Sequence, residues 1–312
     1  VDAVPGGRTP DLTSAVPDGA SSRGRIAAAF AAIYLIWGST FLAIRIGVRE
    51  LPPFLFAGSR FVLAGALLGM VAAWRREPLP AGGREWRYML IFSVLMVALS
   101  NGVSTVALQH IPSNEGALLA AGAALWIAGL GAIGPKAHAL TARGILGLLL
   151  GLTGVVLIVW PRAATPSGHL AWQSLVVFGS FCWAAGTIMY RNAALPVGPV
   201  AFNAALMVLG GTWLLLAGLA TGEIARWQWS PGGLAAMLYL AVFGSAVAYT
   251  AYAWLLRRVR ADRVGTFAYV NPAIATVLGW AVLGEALSPV QISGMAIVLL
   301  GVALVTIPSR VA

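Results

Sequence analysis

DRVGTFAYVNPAIATVLGWAVLGEALSPVQISGMAIVLLGVALVTIP, residues 262–308, decides how the chain is read. Two apolar spans of about 20 residues, each long enough to cross a bilayer, flank the polar turn Gly284-Glu285-Ala286-Leu287-Ser288-Pro289. Moved back by 147 positions, the stretch meets an earlier version of itself. Leu140-Thr141 falls on Leu287-Ser288, Gly147 on Gly294, Gly154 on Gly301, and Trp160-Pro161 on Ile307-Pro308. At an offset of 146 the match continues upstream, with Trp37 on Trp183, Arg45 on Arg191, Pro53 on Pro199 and Phe56 on Phe202. The chain is a duplication.

Composition says where such a duplication lives. Hydrophobic residues make up 59% of the chain and charged residues 10%, and mean hydropathy is +0.85. Soluble domains carry about 25% charged residues, so this chain lacks the polar surface that water demands. It reads as a polytopic membrane protein. The first 22 residues (VDAVPGGRTPDLTSAVPDGASS) are rich in Pro, Gly, Ser and Asp and hold no apolar core. They are expected to be a disordered tail, not a cleaved signal, leaving insertion to the first apolar segment. Cys182 is the sole cysteine, so neither a disulfide framework nor a metal-spacing motif exists, and no cofactor is expected. The net charge of +10 reports loop orientation here and does not imply nucleic acid.

Ten apolar segments are predicted, near 26–48, 53–73, 87–108, 113–134, 141–160, 172–192, 197–220, 232–255, 263–283 and 289–307. Fifteen of the 20 Lys and Arg residues then fall on one side: Arg8, Arg23, Arg25, Arg75, Arg76, Arg84, Arg87, Lys136, Arg143, Arg191, Arg257, Arg258, Arg260, Arg263 and Arg310. The positive-inside rule makes that side cytoplasmic, with both termini there. Each duplicated unit holds five segments. Five is odd, so the second unit enters the membrane inverted relative to the first. The fold class is therefore an all-α integral membrane protein of ten transmembrane helices in two inverted five-helix repeats, an architecture that places a substrate site near the midplane. The expected organisation is a tail at 1–25, a first repeat at 26–160, a linker at 161–171, a second repeat at 172–308 and a short tail at 309–312.

The residues Ile36-Trp37-Gly38-Ser39-Thr40-Phe41 and Asn271-Pro272, followed by Leu283-Gly284-Glu285-Ala286-Leu287, carry a resemblance to a known family. The chain resembles a ten-helix drug/metabolite transporter of the EamA type over about residues 26–308, and within it is similar to bacterial aromatic amino acid exporters. The family pattern in the second repeat is a proline in the ninth helix and a leucine-glycine-glutamate turn, matched by Pro272 and Leu283-Gly284-Glu285. The first repeat departs from it, with Leu125 in place of the proline and Lys136-Ala137-His138 where Gly-Glu is usual. The resemblance implies the bacterial inner membrane and a cavity lined by helices one, three, four, six, eight and nine.

Transport through such a fold needs polar and aromatic groups at mid-depth. Segment three offers Asn101 and Ser104, segment eight Tyr249 and Tyr252, and segment nine Tyr269 and Asn271 before Pro272. Asn101 aligns with Tyr249 at an offset of 148. A proline inside a helix leaves one carbonyl without its donor, to be satisfied by neighbours, water or substrate. Of the 12 tryptophans, Trp74, Trp86, Trp160, Trp172, Trp227 and Trp229 fall at segment ends, as headgroup-level belts do. Trp37, Trp126, Trp183, Trp254 and Trp280 fall deeper. Trp37 and Trp183 are repeat mates, able to offer one ring from each repeat to an aromatic or cationic substrate. The predicted substrate-binding set is Trp37, Ser39, Asn101, Ser104, Trp126, Trp183, Tyr190, Tyr249, Tyr252, Tyr269 and Asn271; ordinary helix packing is the competing role for each. Arg60, some eight residues into segment two with Leu206 as its repeat mate, is expected to be a structural strut bonded to helix carbonyls, with carboxylate binding as the alternative.

No Asp lies within a span, and His110, His138 and His169 fall at turns. Glu115 and Glu285 lie near helix ends, so either one of them is drawn into the cavity or the protein works as a facilitator, without proton coupling. Gly144, Gly147, Gly151 and Gly154, mirrored by Gly294 and Gly301, form a small-residue stripe suited to close helix packing within the chain or between copies. No constellation of an intramembrane enzyme is present. The expected function is export of amino acids, including aromatic ones, by alternating access, with a multidrug or quaternary-cation exporter as the alternative. The expected partners are a small-molecule substrate and the lipid bilayer, in a monomer or weak homodimer.

Overall fold

The structure is a computed structural model, which describes residues 19–133, 142–163, 169–193, 195–256, 258–259, 267–286 and 288–306. Every regular element among them is helical. Ten rods follow in chain order. They are α1 (Gly19–Glu50), α2 (Pro53–Trp74), α3 (Gly83–Ala107), α4 (Ser113–Ala121 and Ala123–Gly131), α5 (Ala142–Ala163), α6 (His169–Ala193), α7 (Pro199–Ala220), α8 (Pro231–Tyr239, continuing to Leu256), α9 (Phe267–Leu283) and α10 (Pro289–Thr306). Six of them are long and apolar enough to cross a membrane unaided: α1, α2, α3, α6, α7 and α8. α1 begins at Gly19, within the span expected as a tail at 1–25, and α5 runs to Ala163 and α6 starts at His169, within the span expected as a linker at 161–171. The turn at Lys136-Ala137-His138 and Thr266 lie outside the described residues.

The repeats differ in one pair of mate helices. In α9 Pro272 sits inside the helix. Its mate position in α4 is Leu125, and there the break falls at Gly122, whose N–H turns back to Leu119 O at 3.2 Å while its carbonyl accepts from Leu125 and Trp126. The first repeat breaks this helix at Gly122, whereas in the second the helix runs on through Pro272.

The repeats lock together mate against mate. α2 packs along α7, and α5 along α10, as the two most extensive helix contacts. Glycines let the backbones touch. A Cβ at Gly65 would lie 2.8 Å from Val208 N and 3.0 Å from Ala204 O, and one at Gly211 would lie 2.8 Å from both Val62 N and Gly58 O. All three pairs are related by the offset of 146. Likewise Gly154 faces Gly294 O and Val298 N at 2.7 Å, while Gly301 faces Gly147 O and Gly151 N at 2.6 Å. The glycine stripe therefore serves packing within the chain, which lets backbones approach where any side chain would hold them apart.

Helix ends are closed across the repeats by glutamates. Glu77 Oε2 accepts from Val200 N and Ala201 N at the start of α7, and Glu223 from Leu55 N and Phe54 N at the start of α2. Glu50 takes the Ser230 hydroxyl and Gly233 N at the start of α8. Glu285 takes Ser113 N at 2.9 Å, Ser113 Oγ at 2.7 Å and Asn114 N at 3.2 Å at the start of α4. These N–H groups have no partner inside their own helix, and a carboxylate also suits the positive end of the helix dipole. Gly284 adopts φ 67°, Gly222 φ 69° and Arg76 φ 52°, each directly before its glutamate. A left-handed residue turns the chain so that the following carboxylate meets the partner helix. That is the physical content of the Leu283-Gly284-Glu285 motif. Every such contact joins helix ends that an alternating up-and-down path of inverted repeats brings to the same face.

Candidate functional site

The middles of α3 and α8 are not α-helical. Ser93–Gly102 and Leu240–Val247 wind as π-helix, starting at mate positions 147 residues apart. The wider winding misaligns backbone carbonyls and is frequent at functional sites. Both segments use that freedom. Asn101 Nδ2 donates to Met96 O, five residues back, at 2.8 Å. Trp37 Nε1 donates to Gly244 O, within the π segment of α8, at 3.1 Å. No periodic signal in the sequence announces these segments; the polar and small residues Ser100-Asn101-Gly102 and Gly244-Ser245 are the nearest hint.

Aromatic rings gather between the two segments. Tyr249 meets the Trp37 ring edge-on at 5.4 Å and the Trp183 ring at 6.3 Å, so the repeat-mate tryptophans share one tyrosine. Trp37 also meets Tyr252 at 5.2 Å and Phe267 at 5.1 Å. Trp37, Trp183, Tyr249 and Tyr252 thus form one connected group, while Tyr190 lies against other rings, 4.3 Å from Phe202 and 5.9 Å from Phe92. By surface exposure Trp37, Trp183, Tyr249 and Tyr252 are half-buried.

Asn101, the mate position of Tyr249, is reached by Arg60, whose Nη2 donates to Asn101 Oδ1 at 3.5 Å. The expected strut is not what the side chain forms. No helix carbonyl accepts from Arg60 among the described residues, and its Nε is buried without a partner.

Other predicted residues lie apart. Ser39 is engaged with Tyr239 Oη at 2.6 Å and with its own helix carbonyls. Ser104 packs at the tight α3–α6 crossing, where a Cβ added at Gly179 would lie 3.0 Å from its Oγ. Trp126 meets Phe181 edge-on at 5.6 Å. Asn271 Oδ1 is buried without a partner one residue before Pro272. Tyr269 is in α9, and its side chain lies outside the described residues. Trp280, expected to be deep, is 67% exposed on the apolar perimeter. The two carboxylates in question are both occupied at helix ends, Glu285 as above and Glu115 by Gln173 Nε2. Among the described residues, no cluster of three or more His, Cys, Asp or Glu could hold a metal ion.

Known proteins resemble this chain. The chain is 35% identical over 278 residues to the uncharacterized inner membrane transporter YedA of Escherichia coli K12, covering 88% of this chain and 89% of that protein. It is 27% identical to an uncharacterized transporter of Archaeoglobus fulgidus (80% and 86% covered) and 25% identical to the uncharacterized transporter YvbV of Bacillus subtilis (92% and 93%). A solved crystal structure superimposes with a TM-score of 0.65 over 93% of this chain and 99% of its own, at 21% identity, a likeness of fold. The EamA-like transporter family model matches residues 24–160 and again 170–307, once per repeat. This chain, a multi-pass membrane transporter, belongs to the EamA-like transporter family.

Proposed function

We propose that this transporter exports amino acids, aromatic ones among them, across the inner membrane by alternating access. The observation that carries the reading is the Trp37–Tyr249–Trp183 group, built from both repeats between two π-helical segments. Aromatic rings bind planar side chains by stacking and ammonium groups by cation–π attraction. Rocking one repeat against the other changes which side reaches that group. Both termini are cytoplasmic in this reading, on the strength of the Lys and Arg asymmetry. The mechanism is facilitated, because Glu115 and Glu285 are already engaged at helix ends. Uptake of radiolabelled amino acids into proteoliposomes, with and without a pH gradient, tests it. Saturable flux of several amino acids, unchanged by the gradient, is expected. Flux of a cationic dye in place of any amino acid would move the assignment to multidrug export, and acceleration by the gradient would refute the facilitator.

A further inference from the structure

Arg60 is 3% exposed, with its Cα seven residues into α2, roughly 10 Å from the helix start. Nothing in the described protein neutralises it. The acids among the described residues are Glu50, Glu77, Glu85, Glu115, Glu223 and Glu285. Each stands at a helix end, and none forms an ion pair with Arg60. Its contacts are the Asn101 amide oxygen at 3.5 Å, the upper limit of a hydrogen bond, and the face of Phe61, 4.4 Å below the guanidinium carbon. The amide is held by its other end, Asn101 Nδ2 on Met96 O, so Oδ1 is turned towards the arginine. Nε is buried and unbonded.

A cation at mid-helix costs at least about 2.5 kcal/mol in a membrane. Helix packing does not require it here. The mate position on α7 is Leu206, equally buried, so the other repeat fills the corresponding position with an aliphatic residue.

Building on the amino acid reading, we propose that Arg60, oriented by Asn101, binds the carboxylate of the transported molecule. The unbonded guanidinium nitrogens match the two oxygens of a carboxylate in a fork that a point charge cannot reproduce. The remainder of the substrate then lies against Trp37, Tyr249 and Trp183. Arg60 also repels molecules that carry only positive charge, so the site takes zwitterions and monocarboxylates and excludes quaternary cations.

The test is thermal stabilisation of the purified protein by matched ligands: tryptophan and phenylalanine, their amides, the amines tryptamine and phenethylamine, phenylacetate, and chloride against gluconate. The variant is Arg60→Leu, which copies the mate residue. The unaltered protein should bind at least one carboxylate and discriminate against its amide. Arg60→Leu should lose affinity for the carboxylate by about ten- to a hundredfold, the worth of a charge-assisted hydrogen bond, with little change for the amide. Equal affinity of the unaltered protein for acid and amide overturns the assignment, as does undiminished carboxylate binding in a folded Arg60→Leu. Stabilisation by chloride alone, without competition from carboxylates, overturns it too, in favour of a resident inorganic anion. Should Arg60→Leu not fold, the acid-versus-amide comparison on the unaltered protein decides alone. Binding of phenylacetate through Arg60 with no amino acid bound would sink the amino acid reading and leave this assignment standing. Amino acid flux indifferent to Arg60→Leu would do the reverse.

Discussion

The Glu77 carboxylate accepts from the N–H groups of Val200 and Ala201 at 2.8 and 3.1 Å, and Glu223, 146 residues on, accepts from Leu55 and Phe54 at 2.9 and 3.3 Å. Each glutamate ends one helix of the α2–α7 pair and caps the start of the other. The two bonds sit at opposite ends of helices of 22 residues, roughly 33 Å apart. Glu77→Ala and Glu223→Ala should each destabilise the protein by about 1–2 kcal/mol, since both leave helix N–H groups without an acceptor. At that separation the losses should add. Thermal unfolding of the single and double variants in one detergent checks both statements, and a double variant no worse than either single would argue against independent caps.

Arg76 occupies the left-handed position that its mate Gly222 occupies without strain. An L-residue there costs roughly 1–2 kcal/mol, part of which glycine returns through its freer unfolded chain. Arg76→Gly is expected to raise stability by a net of under about 1 kcal/mol, read as a higher unfolding temperature.

Glycines on one helix should respond with opposite signs. At Gly65 a Cβ meets Val208 N at 2.8 Å, whereas at Gly69 it meets nothing within 4 Å. Gly65→Ala forces α2 and α7 apart and should cost about 1–3 kcal/mol. Gly69→Ala should stabilise by about 0.5–1 kcal/mol through helix propensity. Folded yield and unfolding temperature, measured side by side, distinguish the two.

Trp37 contributes both ring contacts and the bond to Gly244 O. Trp37→Ala should reduce amino acid flux by about tenfold or more, since one aromatic contact and one hydrogen bond are lost. Trp37→Phe, which keeps a ring and loses the bond, should fall between. Initial rates in proteoliposomes with matched protein content give the comparison.

His110 stacks on Trp172 with ring centroids 3.9 Å apart. Desolvation, then repulsion from Arg45 and from His169, holds its pKa below the usual 6.5. The folded state therefore binds this proton less readily than the unfolded chain, and the unfolded state gains protons first as pH falls. The stability that His110 contributes is full above pH 6.5 and declines as pH drops below it. His110→Phe, which keeps the stack, should flatten that part of the pH profile of unfolding temperature.

The sequence by itself determined the solvent, the segments and the duplication. Apolar length is a local property, and the matched Trp37/Trp183 and Pro53/Pro199 positions are visible in one dimension, so bilayer spans and an inverted repeat follow from them. Trp37, Trp183, Tyr249 and Asn101 were legible as candidates because polarity and repeat position single them out. Which partners these residues meet follows only from the folded chain. The capping bonds of Glu77, Glu223 and Glu285 join residues more than 120 positions apart, and nothing local marks a glutamate as the acceptor for a distant helix. The same holds for the π segments, where α-helical and π-helical winding of the same apolar residues differ only through neighbours that take up the displaced carbonyls. Arg60 shows the difference most sharply. Its cost in a membrane can be computed from position, but whether it is a strut depends on which carbonyls and carboxylates fold to within 3 Å of it. Among the described residues, none does.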